Sequence, residues 1–304
     1  MDPDELYTLR AQFWLGHYTL CLEECKAVAR RPMSPSLKAE REEFIYRANI
    51  AQGQYDKVIR ETAGSDKSKT IQALNLHATY EVAASLADTT KMDDIISKLK
   101  NLLYNNPSEV STSLQLTAAH IFLRHNLTRE ALQCVHLGIS MEHIAICLQI
   151  YLKIDRLDLA EAQLSLLKQA DEDAILTQLG SVYYNIAKGK SGASEALHVL
   201  SMLSEQYGPS IMLLNTTAVA HLVVGNYSAA EGVLLEAKEE MTATGVKDAD
   251  TLINLIVCTS QMGKDSSAYV EEMKKMHQNH VFVEGLERVE NAFERESLKY
   301  AVDA

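Results

Sequence analysis

The chain predicts an all-α fold, a curved solenoid of stacked helical hairpins, and three observations carry that expectation. A turn motif recurs, reading Gly, one polar residue, Tyr and then a small or branched residue three places on: GHYTLCLEEC from Gly16, GQYDKVIRET from Gly53 and GNYSAAEGVLLEA from Gly225. Small residues that open the second helix of each hairpin fall at a drifting interval, at Ala131, Ala160, Ala196, Ala230 and Ala268. The five prolines, Pro3, Pro32, Pro35, Pro107 and Pro209, stand where the helical periodicity breaks, as expected where proline is confined to connections.

Successive small residues are 29, 36, 34 and 38 positions apart, a period close to the ~34 residues of the tetratricopeptide unit. Looser copies of the turn lie at Asn126 (NLTREALQCV), Asp155 (DRLDLAEAQL) and Gly263 (GKDSSAYVEEM). The spacing predicts helices over 4–15 with 18–30, 38–51 with 55–62, 69–86 with 91–104, 111–125 with 128–139, 141–153 with 157–169, 173–188 with 193–206, 210–223 with 228–241 and 249–261 with 265–277. The third pair follows a linker, AGSDKS, and lacks the Gly-x-Tyr turn. KGKSG between Ala187 and Ala193 predicts a longer connection there. Gly225 suits the left-handed residue that ends a helix, and small residues such as Ala119, Gly180 and Ala218 let paired helices approach closely.

Two units are expected, a solenoid over 1–280 and a terminal helix with a short tail over 281–304. In the latter, Leu286, Val289, Phe293 and Tyr300 follow helical spacing beside a charged face. The last repeat of a solenoid has an open apolar side, so this helix reads as a cap, or as a helix that docks on a partner. VFVE at 281–284 is compatible with a short strand.

The formal charge of −12 argues against a surface for nucleic acid or an anionic membrane. The N-terminus has neither the basic start nor the apolar stretch of a signal peptide, no run is long enough for a span, and no lipidation motif is present. Five cysteines, with Cys21 and Cys25 four apart on one helix face, read as core residues rather than a disulfide or metal pair. The sequons at Asn126, Asn215 and Asn226 need a secretory route. The expectation is a cytosolic protein.

No chemistry emerges from motif search. The ten histidines sit within helices or near their ends with no metal-ligand spacing, His136 and His143 included. No nucleophile elbow, phosphate loop or dinucleotide fingerprint is present. Neither enzyme, cofactor nor metal is expected. What remains is the concave wall that stacked first helices create. Three places before each turn residue, that wall takes Phe13, Ile50, Leu123, Leu152 and Leu222, with Tyr184 the equivalent four after Gly180. Such a row of apolar groups implies a superhelix that closes on itself or a groove filled by another polypeptide. Chaperone-docking tetratricopeptide proteins hold a C-terminal carboxylate with Lys and Asn on inner faces. The corresponding positions here are Glu43 and Arg47, Leu116 and His120, Ala145 and Gln149, Thr177 and Ser181, Asn215 and Val219, so that clamp is absent.

Three runs carry a specific resemblance: IYLKIDRLDLAEAQL at 150–164, ADEDAILTQLGSVYYNIAKGKSG at 170–192 and DADTLINLIVCTSQMGK at 248–264. DELYTLRAQFWLGHY at 4–18 and NAFERESLKYA at 291–301 add to it. They are similar, in order along nearly the whole chain and least over 63–110, to the coatomer epsilon subunit family. The resemblance implies a non-enzymatic subunit of the COPI coat in Golgi-to-ER and intra-Golgi transport. It implies a repeat array wrapped around the C-terminal region of the alpha subunit, with the remaining coatomer subunits reached indirectly. It also implies cytoplasmic protein held peripherally on Golgi membranes and coated vesicles through the rest of the coat. The competing class is a free-standing adaptor or co-chaperone that binds a short peptide.

Overall fold

Eight helical hairpins follow one another, seven of them turning through the same local structure. The structure, a computed structural model, describes residues 5–64, 66–105 and 110–300; Pro3 and Pro107 lie outside the described residues. The hairpins pair α1 (Tyr7–Trp14) with α2 (Tyr18–Val28), α3 (Pro35–Ala51) with α4 (Tyr55–Glu61), and α5 (Lys69–Ser85) with α6 (Thr89–Tyr104). Next come α7 (Thr112–Arg124) with α8 (Thr128–Val135), α9 (Met141–Lys153) with α10 (Leu157–Ala170), and α11 (Ile175–Ala187) with α12 (Lys190–Tyr207). α13 (Ile211–Val224) with α14 (Tyr227–Thr244) and α15 (Ala249–Gln261) with α16 (Ser267–Met276) complete the array, before α17 (Val281–Ser297) and a short 3₁₀ turn. The fold is an all-α, tetratricopeptide-like solenoid.

Seven of the eight hairpin turns share one backbone form, the α11–α12 turn at Gly189 being the exception. A residue with positive φ stands at Gly16, Gly53, Ala87, Asn126, Asp155, Gly225 and Gly263. In each case the following N–H reaches the carbonyl five residues back: His17 to Gln12, Gln54 to Asn49, Asp88 to Ala83, Leu127 to Phe122, Arg156 to Tyr151, Asn226 to His221 and Lys264 to Thr259. This is the Schellman closure, which satisfies carbonyls that a helix end leaves bare. The third hairpin, where the glycine is missing from the sequence, therefore makes the same turn with Ala87 at φ 53°. Left-handed backbone costs an L-residue with a β-carbon about 1 kcal/mol. Ala87→Gly is accordingly expected to raise the stability of the chain by about 1 kcal/mol, read as a higher denaturant midpoint at constant slope; an unchanged or lower midpoint would refute the strain.

Five of the eight first helices start on serine. Ser34, Ser68, Ser111, Ser140 and Ser210 each accept a hydrogen bond from the backbone N–H three residues on, the N-cap that satisfies a free donor. Pro35 follows Ser34 at the first helical turn of α3, where a missing N–H costs nothing. Second helices press small residues into the hairpin: Ala131, Ala160, Ala196 and Ala230 are fully buried.

Several expectations need correcting. KGKSG does not lengthen its connection, because only Lys188 and Gly189 separate α11 from α12 and the next residues form the first turn of α12. Gly192 is needed there, since a β-carbon would stand 2.3 Å from the Asn185 carbonyl oxygen. The helix expected over 128–139 ends at Val135, with Gly138 at φ 59° beyond it. Ala268 is exposed rather than buried, because α16 starts only after Asp265 caps Ser267, which shifts the buried contact to Met273. VFVE is not a strand but the first turn of α17.

After about one superhelical turn the array meets its own beginning. Ala11 and Leu15 of α1 share a core with Ile175, Leu179, Val182 and Leu213 of α11 and α13. The Ser210 hydroxyl donates to the Leu15 carbonyl at 2.5 Å, and His17 Nε2 donates to the Gly208 carbonyl at 3.2 Å. Gly16 makes room for this contact, a β-carbon there falling 3.0 Å from Met212 Cβ. Further on, Asn279 donates to the Ser85 carbonyl at 2.8 Å, so the chain that leads into α17 passes over the α5–α6 turn. Val283 packs with Leu252, Ile256 and Met273. Beyond it α17 exposes Val289 and Phe293, at 64% and 73%.

Candidate functional site

The closed solenoid encloses a lumen of about 490 Å³. First helices line it: Phe13 and Trp14 from α1, Arg47 and Ile50 from α3, His77 and Glu81 from α5, Leu116, His120 and Arg124 from α7. The far wall brings Glu142 and Gln149 from α9, Leu176 and Tyr183 from α11 and Met212 from α13.

Of the residues expected on the inner wall, Phe13 and Ile50 reach the lumen. Leu123 packs instead against the core shared by α5 to α9, and Leu152 and Tyr184 against Leu148, Ala160 and Leu164. Leu222 sits against Ala218, Leu234, Leu255 and Cys258. The reason is helical phase. Three residues before the turn the side chain reaches the lumen on α1 and α3 but packs into a seam farther along, whereas on α5 to α11 the lumen takes the residues six and ten before the turn. Arg47, Glu81, His120, Gln149 and Tyr183 occupy the nearer of these positions, and His77, Leu116, Ala145 and Leu179 the farther. A register read through the left-handed turn residues would have found them, and the positions tested for a carboxylate clamp on α3, α7 and α9 already lay in it.

Charge in the lumen is paired. Arg47 from α3 makes a bidentate bond to Glu142 of α9, Nη2 to Oε1 at 2.6 Å and Nη1 to Oε2 at 3.3 Å. Trp14 Nε1 of α1 donates to the same Oε1 at 2.9 Å. The guanidinium lies 4.6 Å from the ring centres of both Phe13 and Phe44, a geometry in which a cation gains from the ring faces. Burial works against the Glu142 carboxylate, but Arg47 and then Trp14 outweigh it and hold its pKa below the usual range. A second fork joins Arg124 Nε and Nη2 to Glu81, both at 3.0 Å. Burial, reinforced by Arg124 and Arg47, pushes His77 down to about 4, and burial with His77 and Arg47 does the same to His120. At neutral pH both imidazoles are uncharged. Glu43, close by, is pushed up by burial and accepts a hydrogen bond from Ser113.

His143 is buried with Nδ1 2.7 Å from the Ser140 hydroxyl, while His136 is exposed at the end of α8. Cys21 and Cys25 are free and buried beside Phe44. No helix among the described residues is long and apolar enough to cross a membrane.

The relatives of this chain settle what kind of ring it is. The family model described as coatomer epsilon subunit matches residues 2–301. The chain belongs to the coatomer epsilon subunit family. It is 35% identical over 293 residues to coatomer subunit epsilon-2 of Arabidopsis thaliana, covering 96% of each. Against coatomer subunit epsilon of Dictyostelium discoideum it is 33% identical over 301 residues, 97% of this chain and 98% of that one. Among solved structures, a tetratricopeptide repeat protein from Parabacteroides merdae superimposes with a TM-score of 0.55 at 11% identity, covering 93% of this chain and 96% of that one. The structure of the APC/C hetero-tetramer Cut9–Hcn1 gives 0.60 at 12%, covering 93% of this chain and 54% of that one. These two speak to the fold alone. Family and fold are both structural rather than enzymatic, and a coat-subunit role follows from the family.

Proposed function

We propose that the lumen receives a segment of the alpha subunit of coatomer, from its C-terminal region, and that the chain works without catalysis as a scaffold of the COPI coat in Golgi-to-ER and intra-Golgi transport. The observation that carries this reading is the lining itself. Apolar and aromatic walls with exposed hydrogen-bonding groups such as Gln149, and with every guanidinium already paired, suit an extended protein segment better than a free carboxylate or phosphate. The negative charge, with no spanning helix among the described residues, fits a subunit that meets the Golgi membrane only through the rest of the coat.

Filling the lumen tests the reading. Gln149 is exposed within it, so Gln149→Trp leaves the hairpin cores intact while taking up the space. The expected result is affinity for the cognate full-length alpha subunit reduced tenfold or more, about 1.4 kcal/mol or above, with an unchanged melting temperature. Equal affinity of wild type and Gln149→Trp would place the interface elsewhere on the ring.

A further inference from the structure

A polar junction bridges the lumen beside the Ser113–Glu43 hydrogen bond, and its members come from parts of the chain that share no hairpin. Trp14 and Arg47 stand 128 and 95 residues from Glu142. The junction thus ties the first and second hairpins to the fifth. We propose that Trp14, Arg47 and Glu142 form the latch that holds the ring at the width its partner requires, so that Arg47 and Glu142 act as positioning residues for binding. The inference rests on the lumen being the partner site.

The packing around the junction supports a latch rather than a core element. The second hairpin buries Ile50, Val58 and Leu74 in its own seam, and the fifth buries Leu148, Ala160 and Leu164 in another. Neither seam contains the ion pair. In a solenoid each repeat is stabilised by its neighbours, so loss of the pair leaves hairpins folded and releases only the contact across the lumen. The α1 contact with α11 and α13 reaches α3 only through the core that Leu9 shares with Phe44 and Ala48, whereas Arg47 is the side chain that ties α3 directly to α9. The side chain is set for this: Phe13 and Phe44, packed edge to face 5.2 Å apart, both lie against the guanidinium, and its fork is aimed at Glu142. Arg47 and Glu142 are each less than a fifth exposed, which protects the pair from solvent screening.

The test uses the full chain carrying exposed spin labels through D56C on α4 and E161C on α10, with the distance between them read by pulsed dipolar spectroscopy. Affinity for the full-length alpha subunit and far-ultraviolet circular dichroism are measured alongside. Glu142→Gln keeps the shape and the acceptor for Trp14 while removing the charge. It is expected to widen the distance distribution and weaken binding at least tenfold with helix content unchanged. Arg47→Lys, which keeps the charge but loses the fork, should fall between, and supplies the answer if Glu142→Gln does not fold. The charge swap R47E/E142R should recover part of both losses, which a generic packing defect would not. An unchanged distance in Glu142→Gln, or a wider one with undiminished affinity, overturns the latch. Failure of the wild-type chain to bind the alpha subunit would instead sink the lumen reading, and the distance measurement would then judge the latch alone.

Discussion

Phe122→Ala is expected to lower the unfolding free energy by about 3–5 kcal/mol, and to do so in a single transition. Phe122 is fully buried in α7, in one core with Tyr80 of α5, Leu99 of α6, Val135 of α8 and Ile150 of α9. Truncation removes the ring from the middle of that core, and four flanking helices cannot all move into the void at once, so the cost combines lost transfer free energy with a residual cavity. In an open solenoid such a lesion divides the molecule, because stability is a chain of nearest-neighbour terms and the two ends melt separately. Here the ends are not free. Ala11 and Leu15 join the first hairpin to the sixth and seventh, and Arg47 joins the second to the fifth, so unfolding around Phe122 strains contacts on the opposite wall. Urea unfolding followed by tryptophan fluorescence reports the closure, since the single tryptophan, Trp14, lies far from the lesion along the chain. Coincident fluorescence and circular dichroism curves, displaced together, are the expected result. A fluorescence transition that stays at the wild-type midpoint would show that the ring does not couple its halves.

The hairpins were legible because what makes them is local. A left-handed turn residue, a serine cap and a small residue facing the partner helix all act within one repeat, and each leaves a residue type at a fixed offset. Even so, Ala87 hid the third turn, because the Schellman closure tolerates alanine at an energetic cost that composition does not display. KGKSG misled for a related reason: Gly192 looks like a loop residue, yet its role is to let α12 begin against the Asn185 carbonyl. Apolar VFVE suited strand or helix equally, and α17 follows from Val283 closing over Leu252 and Met273. The lumen was legible as a wall but not in phase: an offset of three residues put Leu123 and Leu152 on it in place of His120 and Gln149, an offset of one put Tyr184 there in place of Tyr183, and Leu222 belongs to a seam. The closure was legible only as one of two alternatives for the apolar wall, not in the residues that make it. It arises from the accumulated crossing angles of successive hairpins and from the meeting of Trp14, Arg47 and Glu142, which no periodicity brings together.

Acid should weaken the ring well above the pH at which its carboxylates are lost. His77 and His120 titrate near 4 in the folded chain, against ~6.5 when unfolded. With the folded value depressed, both states are neutral at high pH and no stability is at stake there. As the pH falls through ~6.5 the unfolded chain takes up protons that the folded one refuses, and the loss grows until the folded pKa is reached. Each imidazole contributes on the order of 3 kcal/mol over that window, and about 6 kcal/mol is expected for both once the pH reaches their folded values. Glu142 acts separately: with its folded pKa below the usual range, the stability it contributes is present above the unfolded carboxylate value and is lost only as pH falls through its folded value. The two effects are therefore ordered, histidines between about 6.5 and 4 and the carboxylate at the lower edge. Urea midpoints measured from pH 7.5 to 4.5 should fall progressively in the wild-type chain. His77→Gln with His120→Gln, uncharged at every pH, should flatten most of that slope, the Glu142 step lying below the measured range. A wild-type profile flat from pH 7 to 5 would mean that water reaches both imidazoles, and with them the lumen, in the unbound protein.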